Sequence, residues 1–569
     1  MIVVLLVAFC IHGPLLLMQL PLGSYDANFH MFFASHYQHS WFDPWNQKWY
    51  AGFSQTTYPP LPQQWTALIA NVTGLSFAYM IVQFAAIVLL VYGVYGYARI
   101  WVDDRSASYA ALGSVFLGSL ALIIYQAGQL STSVAAPLYL LGLVYFYSWM
   151  QEGRFSALIK GVLLIVTAAA AHNATLLFGA ILFALPLLAL AMIENKDADR
   201  SRFSALVRAA FFAFVCGALV AVVLYPFWIA LLHNPVKQMP IPHASRSNYL
   251  LHPLWGLNYF VVPYGALLVA LPFMMIKGAF SRRLRPLLIG FWVAMLLGLG
   301  GTTPFPRWVL GRAYEVLTYE RFTFWATLLA LPLAGLVASR VIDRWGRKGA
   351  VALAVLAAAT CSLGVAWSTW NRAASDDASI PVKDVASFLN RDGHDKYRYV
   401  TLGFGRKISE LAVATSASTV DGEWNSARQL PELTQYGAGQ FTSAKYFGTA
   451  GIESLKAMLK HADQYGLKWV FVHDAYYEPL LVFGGWRKID TLQKGSVSIW
   501  SKDGVPPAVP MHYAFTPPAW HGLIWGLLPI GSSLLTMLVL ILFPDRRRLA
   551  RVTEFPDVSA EPAAVGGAR

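Results

Sequence analysis

The stretch MIVVLLVAFCIHGPLLLMQLPLGSYDANFH, residues 1–30, joins the two features that decide the fold. Its first part, Ile2 to Leu20, is an apolar run of membrane-spanning length, about 20 residues. It lacks a basic leading region and a small-x-small cleavage pattern before Gly23, so it reads as a retained helix and not as a signal peptide. Directly after it come Asp26 and His30, a carboxylate and an imidazole at a membrane boundary, where charge is costly unless it serves a function.

Outward from this stretch, apolar runs recur. The chain is 56% hydrophobic and only 13% charged, with a mean hydropathy of +0.48, too apolar for a soluble domain of 569 residues. It reads as a mainly α polytopic membrane protein with about twelve spans, near residues 2–20, 75–101, 107–126, 131–150, 156–172, 174–193, 204–231, 257–277, 286–303, 321–341, 349–369 and 520–543.

The basic residues set the orientation, because Lys and Arg in short connections resist translocation. Alternate connections hold Arg99 and Arg105; Arg154 and Lys160; Lys196, Arg200, Arg202 and Arg208; Lys277, Arg282, Arg283 and Arg285; and Arg340, Arg344, Arg347 and Lys348. The tail adds Arg546, Arg547, Arg548 and Arg551. All fall on one side, which is expected to be cytoplasmic together with both termini. The net charge of +13 is therefore mainly a topology signal, and no nucleic-acid partner is expected.

That topology sends residues 21–74, 232–256 and 304–320 to the extracytoplasmic face, with a polar insert at 370–518. The expected domains are a transmembrane domain over 1–369, an extracytoplasmic α/β domain over 370–518, a final helix over 519–543 and a basic cytoplasmic tail over 544–569. In the insert, charges such as Asp376, Asp377, Lys383 and Asp384 follow an almost uncharged helix. Arg398 to Leu402 and Lys468 to Val472 read as strands, and Ile452 to Tyr465 has helical spacing. A last pair of strands, Trp486 to Ile489 and Ser496 to Trp500, is expected to flank the Gly484-Gly485 turn. Gly403-Phe404-Gly405 is too short for a nucleotide-binding fingerprint. Cys10, Cys216 and Cys361 lie in expected spans and supply no disulfide framework.

The first external segment offers Asp26, His30, His36, His39 and Asp43 as metal ligands. Their spacing argues against it, since no His-x-x-x-His pair exists. No metal or cofactor is expected, and a divalent ion is the lesser alternative. Asp26 alone reads equally well as a helix cap. Its company favours a functional role, since Trp41, Phe42, Trp45, Trp49, Tyr50 and Phe53 form an aromatic shelf and Tyr58-Pro59-Pro60-Leu61 redirects the chain. Such rings anchor proteins in lipid headgroups and also stack on sugars, the anchor being the commoner use.

At these residues the chain resembles the GT-C superfamily of membrane glycosyltransferases, whose members carry an essential acid in the first extracytoplasmic loop, where Asp26 stands. It is closer still to bacterial multispanning proteins catalogued as 6-pyruvoyl-tetrahydropterin-synthase-related. That pattern recurs as Asp26 with His30, Trp45, Gly52, Tyr58-Pro59-Pro60-Leu61 and Tyr319-Glu320-Arg321-Phe322. Nothing in the chain supplies the zinc-binding histidine set that a pterin synthase needs.

The resemblance implies sugar transfer from a polyprenyl-phosphate donor to an envelope glycan, lipid or protein acceptor at the external face of a bacterial inner membrane. Asp26 would be the general base for the acceptor hydroxyl. Arg321 would stabilise the leaving phosphate, unless it forms a structural salt bridge with Glu320. His30, Trp45, Tyr58, His172, Glu320 and Arg321 are the supporting or substrate-binding candidates. Arg307, Arg312, Lys237 and Arg246 are further external cations, and the loop holding His233, His243, His252, Pro235, Pro240, Pro242 and Pro253 reads as an irregular flap. A transporter or lipid flippase and a non-catalytic envelope-polysaccharide assembly protein remain as alternatives, although no internal repeat of the transporter kind is visible.

Overall fold

The computed structural model describes residues 1–197, 201–235, 243–373, 379–513 and 515–544. Arg200, Lys237, Pro240, Pro242, Asp376, Asp377 and the tail arginines fall outside the described residues. The fold is mainly helical, and the long helices are explained by lipid: no water is there to satisfy a free backbone group, so an apolar run closes its own hydrogen bonds.

Among the described residues seven helices are long and apolar enough to cross a membrane, or eight if Pro253–Tyr264 and Ala266–Phe280, bent by 64°, form one broken span. Three shorter apolar helices, α1 (Ile2–Leu17), Phe155–Ala171 and Arg285–Gly298, lie in other expected spans. The two expected spans 321–341 and 349–369 run together as one 54-residue helix, Glu320–Ala373, broken by the positive φ of 52° at Gly346. The first external segment carries two helices not foreseen as such, α2 (Ala27–His39) and α3 (Leu61–Thr73), before α4 (Leu75–Trp101) begins.

Small residues let the helices approach closely. A Cβ on Gly142 would lie 2.7 Å from Ile165, so glycine there lets Leu130–Glu152 pack against Phe155–Ala171. The helix Asp104–Val115 starts on a side-chain cap, with Asp103 accepting from the backbone of Arg105 and Ser106 at 3.0 Å each.

Between α2 and α3 a two-residue ribbon pairs β1 (Trp45–Asn46) with β2 (Phe53–Ser54). Residues 380–505 build an α/β unit around β3 (Arg398–Leu402), β4 (Leu467–Val472), β5 (Arg487–Leu492) and β6 (Val497–Ser501). The order is β3-β4-β6-β5, with β3 parallel to β4 and the other pairs antiparallel. Both β5 and β6 follow the Gly484-Gly485 turn instead of flanking it. They are joined at Gln493–Gly495, where Gln493 and Lys494 take positive φ.

Side chains alternate across this sheet. Tyr399, Trp469, Phe471 and Ile499 pack on one face with Val385, Phe388 and Leu411. Val400, Leu402, Val470 and Trp500 pack on the other with Leu455 and Met458. That second core also takes in Phe29, Phe32, Phe33, Trp49, Tyr50 and Phe53. Trp49 is fully buried and its ring stacks on Phe32 at 3.9 Å. The aromatic shelf is therefore mostly the seat of the α/β unit and not a lipid anchor. Phe42 alone of the shelf is strongly exposed, at 48%.

The last helix, Ala519–Leu542, is tied to the same first segment. Trp41 Nε1 donates to the Gly526 carbonyl at 2.9 Å, Trp525 Nε1 to the Tyr37 hydroxyl at 2.8 Å, Gln64 Nε2 to the Trp525 carbonyl at 2.8 Å and Trp65 Nε1 to Ser533 Oγ at 3.1 Å.

Candidate functional site

Asp26 stands where the chain leaves a 3-10 turn, Leu20–Gly23, and enters α2. The turn is fixed against the π-helical end of a neighbouring helix, Leu122–Ala127: Tyr25 N–H donates to the Gln126 carbonyl at 2.8 Å and Asp26 N–H to that of Ala127 at 3.0 Å. Gly128 permits this approach, because it takes φ +72° and a Cβ there would lie 2.3 Å from Ser24 Oγ. Asp26 holds the N-cap position of α2, yet its side chain makes no cap hydrogen bond. The helix-cap reading thus fails in geometry. Burial pushes this carboxyl up to about 6, opposed by Arg321, reinforced by Glu320 and opposed again by Arg406.

Glu320 and Arg321 open the long helix Glu320–Ala373, and Gln129 joins them. Gln129 Nε2 donates to Glu320 Oε1 at 2.6 Å, while Arg321 Nε donates to Gln129 Oε1 at 2.9 Å. Glu320 is only 3% exposed, so that amide satisfies an oxygen that would otherwise be orphaned. Among the described residues Glu320 and Arg321 form no direct ion pair, in place of the salt bridge that was one sequence reading. The Arg321 charge bears on Asp26, His30 and His172.

His30 is 1% exposed and sits one helical turn beyond Asp26. Its Nδ1 lies 2.8 Å from the Gln63 amide. With the amide turned so that its oxygen accepts from the ring, its nitrogen donates to the Pro59 and Pro60 carbonyls at 3.2 Å each. His30 is thereby locked to the Tyr58-Pro59-Pro60 bend. Burial, followed by the nearby Arg321 charge, holds the imidazole down to about 3, so it stays neutral. Tyr58 lies 6.0 Å from the His30 ring and 5.3 Å from Phe29.

Other sequence candidates have partners within the protein. Trp45 packs over Gly52, where a Cβ would lie 2.8 Å from its ring, and within 5.4 Å of His512. His172 Nδ1 pairs with Thr175 Oγ1 at 2.8 Å. His36 Nε2 lies 2.6 Å from the Asp43 carbonyl oxygen and His39 Nδ1 lies 2.8 Å from that of Ser35. Among the described residues no three of His, Cys, Asp and Glu converge as a metal-holding group. Arg307 pairs with Glu315 at 3.3 Å, and Arg246 donates to the Leu317 carbonyl at 3.2 Å. In the proline-rich loop, His243 Nδ1 pairs with Ser245 Oγ at 2.7 Å, and that hydroxyl accepts from Tyr319 N–H at 3.0 Å. The loop thus braces the start of the Glu320 helix.

The α/β unit adds residues that sequence reasoning missed. Arg406 Nη1 donates to the Gly23 carbonyl at 3.0 Å and the guanidinium lies over the Tyr25 ring at 4.9 Å. Trp424 Nε1 donates to Thr57 Oγ1 at 3.0 Å. A cavity of about 510 Å³ opens beside Asp26, lined by Gly23, Ser24 and Asn28 of its turn, by Leu75, and by Arg406 and Lys407. Asp26 itself is not in the lining, so cavity and carboxylate are neighbours and not one pocket.

With this geometry in place, likeness to solved structures bears on the fold. The chain matches ArnT from Cupriavidus metallidurans bound to undecaprenyl phosphate with a TM-score of 0.52 at 12% identity, over 88% of this chain and 98% of that one. The fold is similar to that of ArnT. The apo form of ArnT gives the same TM-score of 0.52, over 87% of this chain and 97% of that one, at 12% identity. A mutant form of the mycobacterial arabinofuranosyltransferase AftD matches with a TM-score of 0.51 at 15% identity, over 87% of this chain but only 41% of its own length. No family model and no curated protein matches the chain.

Proposed function

We propose that the chain is a membrane glycosyltransferase moving a sugar from a polyprenyl-phosphate donor to a glycan, lipid or protein acceptor of the envelope. The observation that carries this reading is the Asp26 carboxylate. It is half-buried, makes no hydrogen bond among the described residues, and lies in the field of Arg321 within an ArnT-like fold.

In this reading an acceptor hydroxyl attacks the anomeric carbon of the donor. The bond from that carbon to the phosphate oxygen breaks, its electron pair stays on the phosphate, and Asp26 takes the hydroxyl proton. A carboxylate raised to about 6 suits that role, being a stronger base than an ordinary Asp yet ionised at neutral pH. Arg321 and Arg406 supply fixed positive charge for the leaving phosphate. Gln129 aims Arg321, and the Gln63-locked His30 holds the first turn of α2. The basic connections support cytoplasmic termini and an external α/β domain, and the reading takes the membrane to be a bacterial inner membrane. The motif likeness to the proteins catalogued as pterin-synthase-related belongs to the same reading, without pterin chemistry.

The test is transfer by the purified chain and by its Asp26→Asn variant, each offered a panel of polyprenyl-phosphate sugars with envelope extract. Transfer by the wild type and its loss in the variant are expected. Equal transfer by both would remove Asp26 from the role of base, and movement of lipid without bond cleavage would favour a flippase.

A further inference from the structure

Glu423 reaches the Asp26 region from the α/β unit. It belongs to the loop Asp421-Gly422-Glu423-Trp424, and backbone pairing seats that loop on the first external segment. Tyr50 N–H donates to the Asp421 carbonyl at 3.3 Å, Ala51 N–H to that of Thr419 at 3.0 Å, and Thr419 N–H to that of Lys48 at 2.8 Å. Gly422 lies so close that a Cβ would sit 2.8 Å from the Tyr50 ring. Beyond Glu423, the Trp424 ring meets Tyr58 edge-on at 4.8 Å and Phe29 at 5.6 Å. From the helix Lys407–Ala414, the Ser409 hydroxyl donates to Glu423 Oε2. Glu423 itself is half-buried, so it keeps surface that a ligand can touch.

We propose that Glu423 is the second carboxyl of the Asp26 site, supplied by the α/β unit to bind hydroxyls of the sugar acceptor. The proposal rests on the glycosyl-transfer reading above. The charged groups around Glu423 are Asp26 from the first segment, Arg406 from the adjoining helix and Asp421 from its own loop. Burial pushes Glu423 up to about 8; Asp26 and Asp421 repel its charge, while Ser409 and Arg406 favour it. Asp26 reaches about 6. Between those values one carboxyl is ionised and accepts a proton, and the other is protonated and donates a hydrogen bond, a division of labour set by environment. Two hydroxyls of one sugar can then be held together, one by each carboxyl. Only with the α/β unit seated is the pair complete.

Infrared titration of carboxyl bands in the full chain, held in lipid nanodiscs, tests the pair without a substrate. A protonated-carboxyl band that disappears through about pH 8 and is missing from Glu423→Gln is expected. Asp26→Asn removes a like charge and lowers the Glu423 midpoint, whereas Ser409→Ala removes a stabilising hydrogen bond and raises it. A Glu423 midpoint unmoved by Asp26→Asn overturns the pairing, even where Glu423→Gln misfolds. In the transfer assay Glu423→Ala is expected to raise the acceptor KM about tenfold, and Glu423→Gln to abolish the alkaline decline in rate. An unchanged KM and an unchanged alkaline limb overturn acceptor binding. Absence of transfer by the wild type would defeat the glycosyl-transfer reading and acceptor binding with it, while the infrared coupling still decides whether the two carboxyls share a site.

Discussion

Arg321 Nε donates to Gln129 Oε1 at 2.9 Å, and through that amide the arginine is held beside a buried glutamate instead of bonding to it. Gln129→Leu removes both hydrogen bonds and leaves the Glu320 carboxyl unpaired. A destabilisation of about 1–3 kcal/mol is expected, with a lower transfer rate as Arg321 loses its aim. Thermal unfolding together with initial rates checks both effects; unchanged values would free Arg321 from Gln129.

Asp26→Asn is expected to lower kcat by about 10²–10⁴. The same substitution should raise Tm at neutral pH. A carboxyl whose folded pKa is raised to about 6 binds its proton more tightly folded than unfolded, so its ionisation destabilises the fold as pH rises from the ordinary Asp range to that value. Asn carries no charge and escapes this loss. Unfolding curves at pH 5 and pH 7.5 would read it as a wild-type-to-variant difference that grows with pH.

On the glycosyl-transfer reading the acid limb is expected to follow Asp26, since His30 is held neutral. Activity should fall as pH drops through about 6, and His30→Gln should leave that midpoint in place even where it slows the reaction. A midpoint that moves in His30→Gln would reassign the limb to the imidazole.

Gly52→Ala tests the seat of the α/β unit. Gly52 takes φ +124°, and the new Cβ would lie 2.8 Å from the Trp45 ring. Backbone strain and the clash together should cost on the order of 1–3 kcal/mol or more. Faster protease cleavage between the membrane helices and the α/β unit is the expected readout, and wild-type resistance would show that the ribbon can yield.

Legibility from sequence varied with the range of the interaction. The bounds of Leu75–Trp101 coincide with the expected span because lipid thickness and a flanking Gly74 are local signals. The strand Arg398–Leu402 was equally visible in its β-rich run. Trp49 and Tyr50 were misread because an aromatic cluster at a membrane boundary looks the same whether it faces headgroups or another part of the chain. The Gln129 bridge and the Glu423 approach were invisible, since neither a lone Gln after a glycine nor a Glu in a polar loop carries a local mark. Asp26 was singled out by its awkward placement, and its missing cap hydrogen bond required coordinates.

The four hydrogen bonds between the first external segment and Ala519–Leu542 link residues 461 to 488 positions apart, so the first segment is made well before its partners. Until that final helix arrives, Trp41, Gln64 and Trp65 have no partner there, and the Phe32–Trp49 stack lacks the unit that covers it. The nascent chain therefore carries a sticky, incompletely bonded patch while the intervening residues are translated. Ribosome stalling before Ala519 should leave an intermediate recognised by quality control, because the site is complete only once that helix has joined the first segment.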